Sequence, residues 1–197
     1  MKKIIIFVSL TLLIGTVSVM AQAPKSFMIK PGIIMAKQVW DDRPTTNDIK
    51  YLEGMYVAWN LEFFHHEYFS LLTECGFSMK RNSVYKTDKS VDFLYVAPML
   101  KVRYELGNFI PYIYFGPRMD FMLTKSFENA FSYGEPEKVI FGIISGIDME
   151  YRFKPHSIIL GFQNQYDISN SIESSSWGSM KYNAFVITAG IKLYYPK

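Results

Sequence analysis

From Phe27 to Tyr195, apolar and polar residues alternate in one segment after another. A period of two belongs to extended strands lying between two unlike environments, and this region shows no 3.6-residue period of an amphipathic helix. Eight segments can be drawn, at 27–38, 51–64, 69–80, 93–104, 110–123, 139–153, 158–167 and 182–195. In the fifth, Ile113, Phe115, Met119, Phe121 and Leu123 share one face, and Tyr112, Tyr114, Gly116, Arg118 and Asp120 the other. The sixth sets Val139, Phe141, Ile143, Ile147 and Met149 against Gly142, Gly146, Asp148, Glu150 and Arg152. The fourth sets Leu94, Val96, Leu100 and Val102 against Tyr95, Ala97, Lys101 and Arg103. Each strand has one oily face and one charged face.

Two opposite objects satisfy that pattern: a membrane barrel, apolar outside, and a soluble lipocalin-like barrel, apolar inside. Glycine separates them. Gly32, Gly54, Gly76, Gly116, Gly142, Gly146, Gly161 and Gly190 all fall on the charged face. A face open to water has no steric need for missing side chains, whereas the interior of a narrow barrel must alternate large with small. The charged face is therefore expected inside and the bulky apolar face in lipid, with closure removing the sheet edges a bilayer cannot accommodate.

The connections follow the same plan. Those after segments two, four and six are short (65–68, 105–109 and 154–157), and those after one, three, five and seven are longer and polar, as at 40–48. Outer-membrane barrels pair short periplasmic turns with longer external loops and have an even strand count. The expected fold is all-β, an eight-stranded antiparallel up-and-down transmembrane β-barrel. Trp59, Phe63, Tyr104, Tyr151, Phe153 and Tyr195 near the inner strand ends, and Trp40, Tyr51 and Phe121 near the outer ends, are expected to form two aromatic girdles.

The N-terminus reads Met1-Lys2-Lys3, then an apolar run from Ile4 to Ile14, then small and polar residues to Ala21. This is the layout of a secretory signal peptide, and the apolar run is short for a spanning helix of about 20 residues. Residues 1–21 are expected to be removed, with Ala23 the alternative cleavage point, and 22–197 to form one barrel domain. Cleavage takes only two of the 21 Lys+Arg against 18 Asp+Glu, so the exported chain is nearly neutral and offers no electrostatic case for nucleic acid. Cys75 is the sole cysteine, which excludes an intramolecular disulfide.

The inward positions carry Lys30, Lys101, Arg103, Arg118, Arg152 and Lys192 against Glu62, Glu74, Asp120, Asp148 and Glu150. An eight-stranded barrel is only wide enough for side chains to fill it. Unpaired, each buried charge costs several kcal/mol. These groups are expected to pair and to plug the lumen, with Tyr56, Tyr112, Tyr114, Asn60 and Gln163 adding donors and acceptors. Strand adjacency predicts Lys30 with Glu62 and Glu74 with Asn60.

Other chemistry is sparse. His65, His66 and His156 fall in the short turns placed in the periplasm, far from an outer-leaflet substrate, and a catalytic dyad needs hydrogen-bond contact between its members, so a hydrolase is not expected. His65-His66-Glu67 has ligand types for a metal, but adjacent residues of an extended chain point apart and no fourth ligand is apparent. No cofactor motif or phosphate-cradling loop is present, so no cofactor is expected. Cys75 lies on the lipid face by parity with no charged neighbour to activate it, and 174–176 read as a loop tip.

The stretch Phe93-Leu94-Tyr95-Val96-Ala97-Pro98-Met99-Leu100-Lys101-Val102-Arg103-Tyr104, followed by Pro111-Tyr112-Ile113-Tyr114-Phe115-Gly116-Pro117, resembles the PorT-like outer-membrane β-barrel family of Bacteroidota, and Gly142 to Tyr151 resembles a later strand of that family. The C-terminal Leu193-Tyr194-Tyr195-Pro196-Lys197 departs from the family's terminal aromatic, which here sits two residues early. The resemblance implies an outer-membrane location and a link to a protein secretion apparatus, and it offers no catalytic residues to carry over. The partners it implies are outer-membrane lipid and a protein met through loops or periplasmic turns. The expected function is a non-enzymatic interaction or assembly component, with a narrow solute channel and a rim-site enzyme as alternatives.

Overall fold

The computed structural model describes residues 24–40, 51–84, 87–123, 137–174 and 178–195. Its strands are β1 (Ser26–Trp40), β2 (Leu52–His65), β3 (Phe69–Val84), β4 (Thr87–Arg103), β5 (Phe109–Met122), β6 (Val139–Phe153), β7 (His156–Asp167), β8 (Ile172–Ser174) and β9 (Gly178–Tyr194). Each long strand pairs antiparallel with its neighbour in the order β1-β2-β3-β4-β5-β6-β7-β9. The β1–β9 ladder, from Ser26↔Tyr194 to Trp40↔Met180, closes the sheet into an eight-stranded barrel. The signal segment, 1–21, lies outside the described residues.

The alternation in the sequence becomes an inside and an outside. Arg118 is 2% exposed, while Phe115, three residues away on the same strand, is 55% exposed. All eight glycines predicted for the lumen stand beside inward-facing groups, and two of them show why. A methyl group at Gly76 would overlap the ring of Tyr95, and one at Gly146 the ring of Tyr114. The lumen holds these tyrosines only because the register partner on the adjacent strand has no side chain.

Proline accounts for the break in the β4–β5 ladder. Pairing runs to Val96↔Met119 and resumes at Leu100↔Phe115. Pro98 and Pro117 lie in the interval and have no N–H to donate, which is why proline is normally kept out of central strands.

Several connections differ from the sequence-based expectation. β3 and β4 continue past Lys80 and before Phe93 to the register Val84↔Thr87, so a paired ribbon stands where a long polar loop was expected. Ser174 belongs to β8, which pairs with the start of β9 through Ser174↔Gly178, while 175–176 of the expected loop tip lie outside the described residues. His65 ends β2 and His156 opens β7, leaving His66 as the histidine in a turn. Phe63, expected in the inner girdle, is only 4% exposed. A register shift between Phe63 and His65, with Phe64 at φ 41°, turns Phe64 outward in its place. The exposed Phe64 packs its ring 5.9 Å from that of Phe69.

Trp59, Tyr104, Tyr151, Phe153 and Tyr195, together with Tyr51 and Phe121, are exposed on the outer surface. Between them runs a belt that includes Ile29, Ile33, Met55, Leu94, Leu100, Ile113, Ile143, Ile147, Leu160, Phe162, Ile187 and Ile191, all exposed. A patch this large far exceeds what a soluble monomer exposes.

Candidate functional site

Among the described residues, chemically active side chains gather in the lumen. Among the described residues, Lys30, Lys80, Lys101, Arg103, Arg118 and Lys192 face Glu62, Glu74, Asp120, Asp148, Glu150 and Asp167, every one of them buried. Cations and carboxylates are equal in number, and the groups sort into three levels along the barrel axis.

At the turn end, Glu62 and Glu150 share Lys101 and Lys192. Lys192 Nζ lies 2.8 Å from Glu62 Oε2 and 3.1 Å from Glu150 Oε2, and Lys101 Nζ lies 3.3 Å from Glu62 Oε2. The hydroxyls of Ser70 and Ser26 donate to Glu62 at 2.7 and 3.1 Å, while Ser157 and Tyr194 donate to Glu150. Lys101 also sits 3.9 Å from the ring centre of Tyr112. Arg103 ties this level to the β2–β3 turn, its guanidinium donating to the carbonyls of His66 and Glu67 at 2.8 and 3.2 Å. Arg152 stands at the mouth, donating to Glu105 at 3.3 Å, and is the partly exposed member of the expected set.

At the middle level, Lys30 lies 3.1 Å from Glu74 and 3.3 Å from Asp148. Glu74 Oε1 accepts from Tyr56 and Tyr95 at 2.7 and 2.9 Å, and Asp148 Oδ2 accepts from Tyr112 at 2.8 Å. Tyr114 donates to Gln163 Oε1 at 3.1 Å, and Gln163 donates in turn to the Tyr56 hydroxyl. The expected pairs do not form. Glu62 is the register partner of Ser26, four residues from Lys30, and is held at the turn-end level. Asn60 does face Glu74 in register, yet neither its Nδ2 nor its Oδ1 has a hydrogen-bond partner among the described residues, because Glu74 is turned toward Lys30 and the tyrosines.

At the loop end, Arg118 donates to Asp120 at 2.7 Å and to Asp167, while Lys80 Nζ lies 2.9 Å from Asp120 and 3.6 Å from Asp167. Asp167 also accepts from Ser171 and from the backbone N–H of Tyr182 at 3.1 and 3.0 Å. Lys80 and Asp167 are absent from the sequence-based set, although each ends a drawn segment. Carrying the inward parity to the last residue of each segment, 80 in the third and 167 in the seventh, finds both.

Apolar side chains divide the lower two levels. Met28 lies between Ser26 and Lys30, Leu72 between Ser70 and Glu74, Met99 between Ala97 and Lys101, and Ile159 between Ser157 and Gly161, all four buried. The side chains of Lys30, Glu74 and Lys101 have no solvent-accessible surface. The ion pairs among them join β1, β2, β3, β4, β6 and β9 and brace the strands across the lumen.

Cys75 is exposed on the outer face. The ring of His66 stacks on that of Phe69 at 4.7 Å.

No protein-family model and no curated protein sequence matches the chain. Solved structures do match in shape. The outer membrane protein AlkL, determined in lipid bilayers, superposes with a TM-score of 0.52 at 8% identity, covering 88% of this chain and 92% of its own. OprG from Pseudomonas aeruginosa gives 0.45 at 13% identity, covering 87% and 97%, and Ail from Yersinia pestis 0.45 at 11% identity, covering 87% and 100%. The chain has the closed, eight-stranded, all-antiparallel fold of small outer-membrane β-barrels.

Proposed function

We propose that this protein is exported through the signal segment 1–21, inserts in a bacterial outer membrane, and acts there without catalysis as an interaction or assembly component of the PorT-like type. In this reading the barrel is a rigid carrier. Its lumen holds strands together, and partner choice belongs to the loops and turns at its two ends.

The observation that carries the reading is the inverted distribution of polarity. Among the described residues, twelve charged side chains are packed out of water inside, while the surface is a belt of aliphatic residues edged by aromatics. Such an object is stable only with lipid around it. A lumen filled by paired charges favours a scaffold over a pore.

Deletion of the gene, followed by comparison of surface and secreted proteins with the parent strain, tests the role. Loss of a set of secreted or surface-displayed proteins, restored by the wild-type chain, is expected. An unchanged protein profile together with steady open-channel current from the purified barrel would favour the second reading, a narrow solute channel. That reading draws on the buried carboxamides of Asn60 and Gln165, which lack hydrogen-bond partners among the described residues.

A further inference from the structure

Two of the ladders that close this barrel are interrupted, and they lie on opposite sides of it. The β4–β5 register stops at Val96↔Met119 and resumes at Leu100↔Phe115, and the β1–β9 register stops at Ile29↔Ile191 and resumes at Gly32↔Thr188. In the closed order of strands these two seams divide the wall into one half of β1, β2, β3 and β4 and another of β5, β6, β7 and β9. Within each half the ladders run unbroken over their paired spans, apart from the shift at the end of β2.

Proline marks both seams. Successive residues of a strand send their N–H and C=O groups to opposite neighbours, so a proline's place in the alternation tells which ladder it weakens. Tyr104 donates its N–H to the Pro111 carbonyl at 3.0 Å, and Leu123 to that of Asp92 at 2.9 Å. The same register and phase turn Pro98 and Pro117 toward each other, and neither has an N–H to give. Across the closing ladder Tyr195 donates to Lys25 at 3.1 Å, and that phase turns Pro31 toward Ala189. The four prolines within the described strands, Pro31, Pro98, Pro111 and Pro117, therefore all withhold a donor from one of these two seams.

The lumenal charges divide along the same lines. Among the described buried residues, β1 to β4 carry Lys30, Lys80, Lys101 and Arg103 against Glu62 and Glu74, an excess of cations. The other half carries Arg118 and Lys192 against Asp120, Asp148, Glu150 and Asp167, an equal excess of carboxylates. Neither half neutralises itself, and together they balance. Lys30 crosses to Asp148, Lys101 to Glu150, and Lys192 to Glu62. Lys80 is the clearest case, since both carboxylates it meets, Asp120 at 2.9 Å and Asp167 at 3.6 Å, belong to the opposite half.

We propose that the barrel moves as two rigid four-stranded halves that part at the proline seams, and that the lumenal ion pairs are the clamp holding the halves together. A ladder short of donors opens at lower cost than its neighbours. Attraction between oppositely charged walls acts across the lumen and does not depend on the missing backbone bonds. The device needs only the closed barrel and stands apart from the role proposed above.

Residue-resolved amide hydrogen exchange of the folded chain in lipid nanodiscs tests this. Phe115 and Tyr114 are neighbours at one depth, but the Phe115 amide faces Leu100 across the seam and the Tyr114 amide faces Gly146 in the unbroken β5–β6 ladder. Phe115 and Leu100 should be protected about ten-fold less than Tyr114 and Gly146. Lys80→Gln leaves Arg118 to both carboxylates, and should lower protection at Phe115 and Leu100 about five-fold further while Tyr114 and Gly146 stay within about two-fold. Pro98→Ala/Pro117→Ala returns the two donors and should bring Phe115 and Leu100 to the level of Tyr114. Equal protection of the two sets in the wild type overturns the seam. No change, or an equal loss at both sets, in Lys80→Gln overturns the clamp. A deficit that persists after the donors are restored overturns the part assigned to proline.

Discussion

The ammonium of Lys30 lies 3.1 Å from Oε2 of Glu74, joining β1 to β3 inside the lumen with no solvent reaching either side chain. Asp148, 3.3 Å away on β6, makes the contact three-way. Removing one member of such a set leaves uncompensated charge in a medium that cannot solvate it. Lys30→Met should destabilise the folded barrel by about 3–5 kcal/mol, because both carboxylates lose their counterion. Urea unfolding in lipid vesicles measures this. A loss below about 1 kcal/mol, where an exposed ion pair would fall, contradicts the buried assignment.

The outward face is tested by charge. Phe115 and Ile143 are 55% and 45% exposed at the middle of their strands, where lipid is the neighbour. Phe115→Arg or Ile143→Arg should cost about 2–4 kcal/mol of folding free energy in bilayers. If Phe115→Arg inserts and unfolds like the parent, that face is not in hydrocarbon.

Gly116 lies against the break that Pro98 and Pro117 open in the β4–β5 ladder. A methyl group there would overlap the carbonyl oxygen of Pro98 and the Cα of Met99, backbone atoms that no rotamer change can move aside. Gly116→Ala should destabilise by about 1–3 kcal/mol through overpacking. A substitution such as Gly107→Asn, in the exposed β4–β5 turn at φ 63° with nothing near the added atoms, should stay within about 0.5 kcal/mol. Equal tolerance at the two sites would show that β4 and β5 are not this close.

Sidedness follows from the turns. Asn108 lies in the β4–β5 turn and Lys154 in the β6–β7 turn, at the same end of the barrel as both described chain ends. In a Cys75→Ala background, Asn108→Cys and Lys154→Cys should react with a membrane-impermeant maleimide only after the outer membrane is permeabilised. Labelling of either on intact cells would invert the proposed topology.

The sequence by itself determined which side chains face the lumen. A strand's side chains alternate with a period of two, so one correct parity assignment sends Lys30, Glu74, Lys101, Arg118 and Asp148 inside and Phe115 and Ile143 outside, and the structure places all of them so. It also determined the topology, because turn length and alternation are local properties of the chain. Tertiary structure decided who meets whom. Lys30 was expected to meet Glu62 on the adjacent strand, yet it meets Glu74 two strands away and Asp148 on the far wall. Inside a narrow closed barrel a long side chain crosses the lumen, so its partner is set by height along the axis. Height depends on strand tilt and on the stagger of the closing ladder, here the register that brings Ser26 opposite Tyr194. No single segment encodes that stagger, and it exists only once β1 and β9 have paired. The same holds on the outer wall: Lys37 and Lys181 are far apart in the chain, and only barrel closure makes them neighbours.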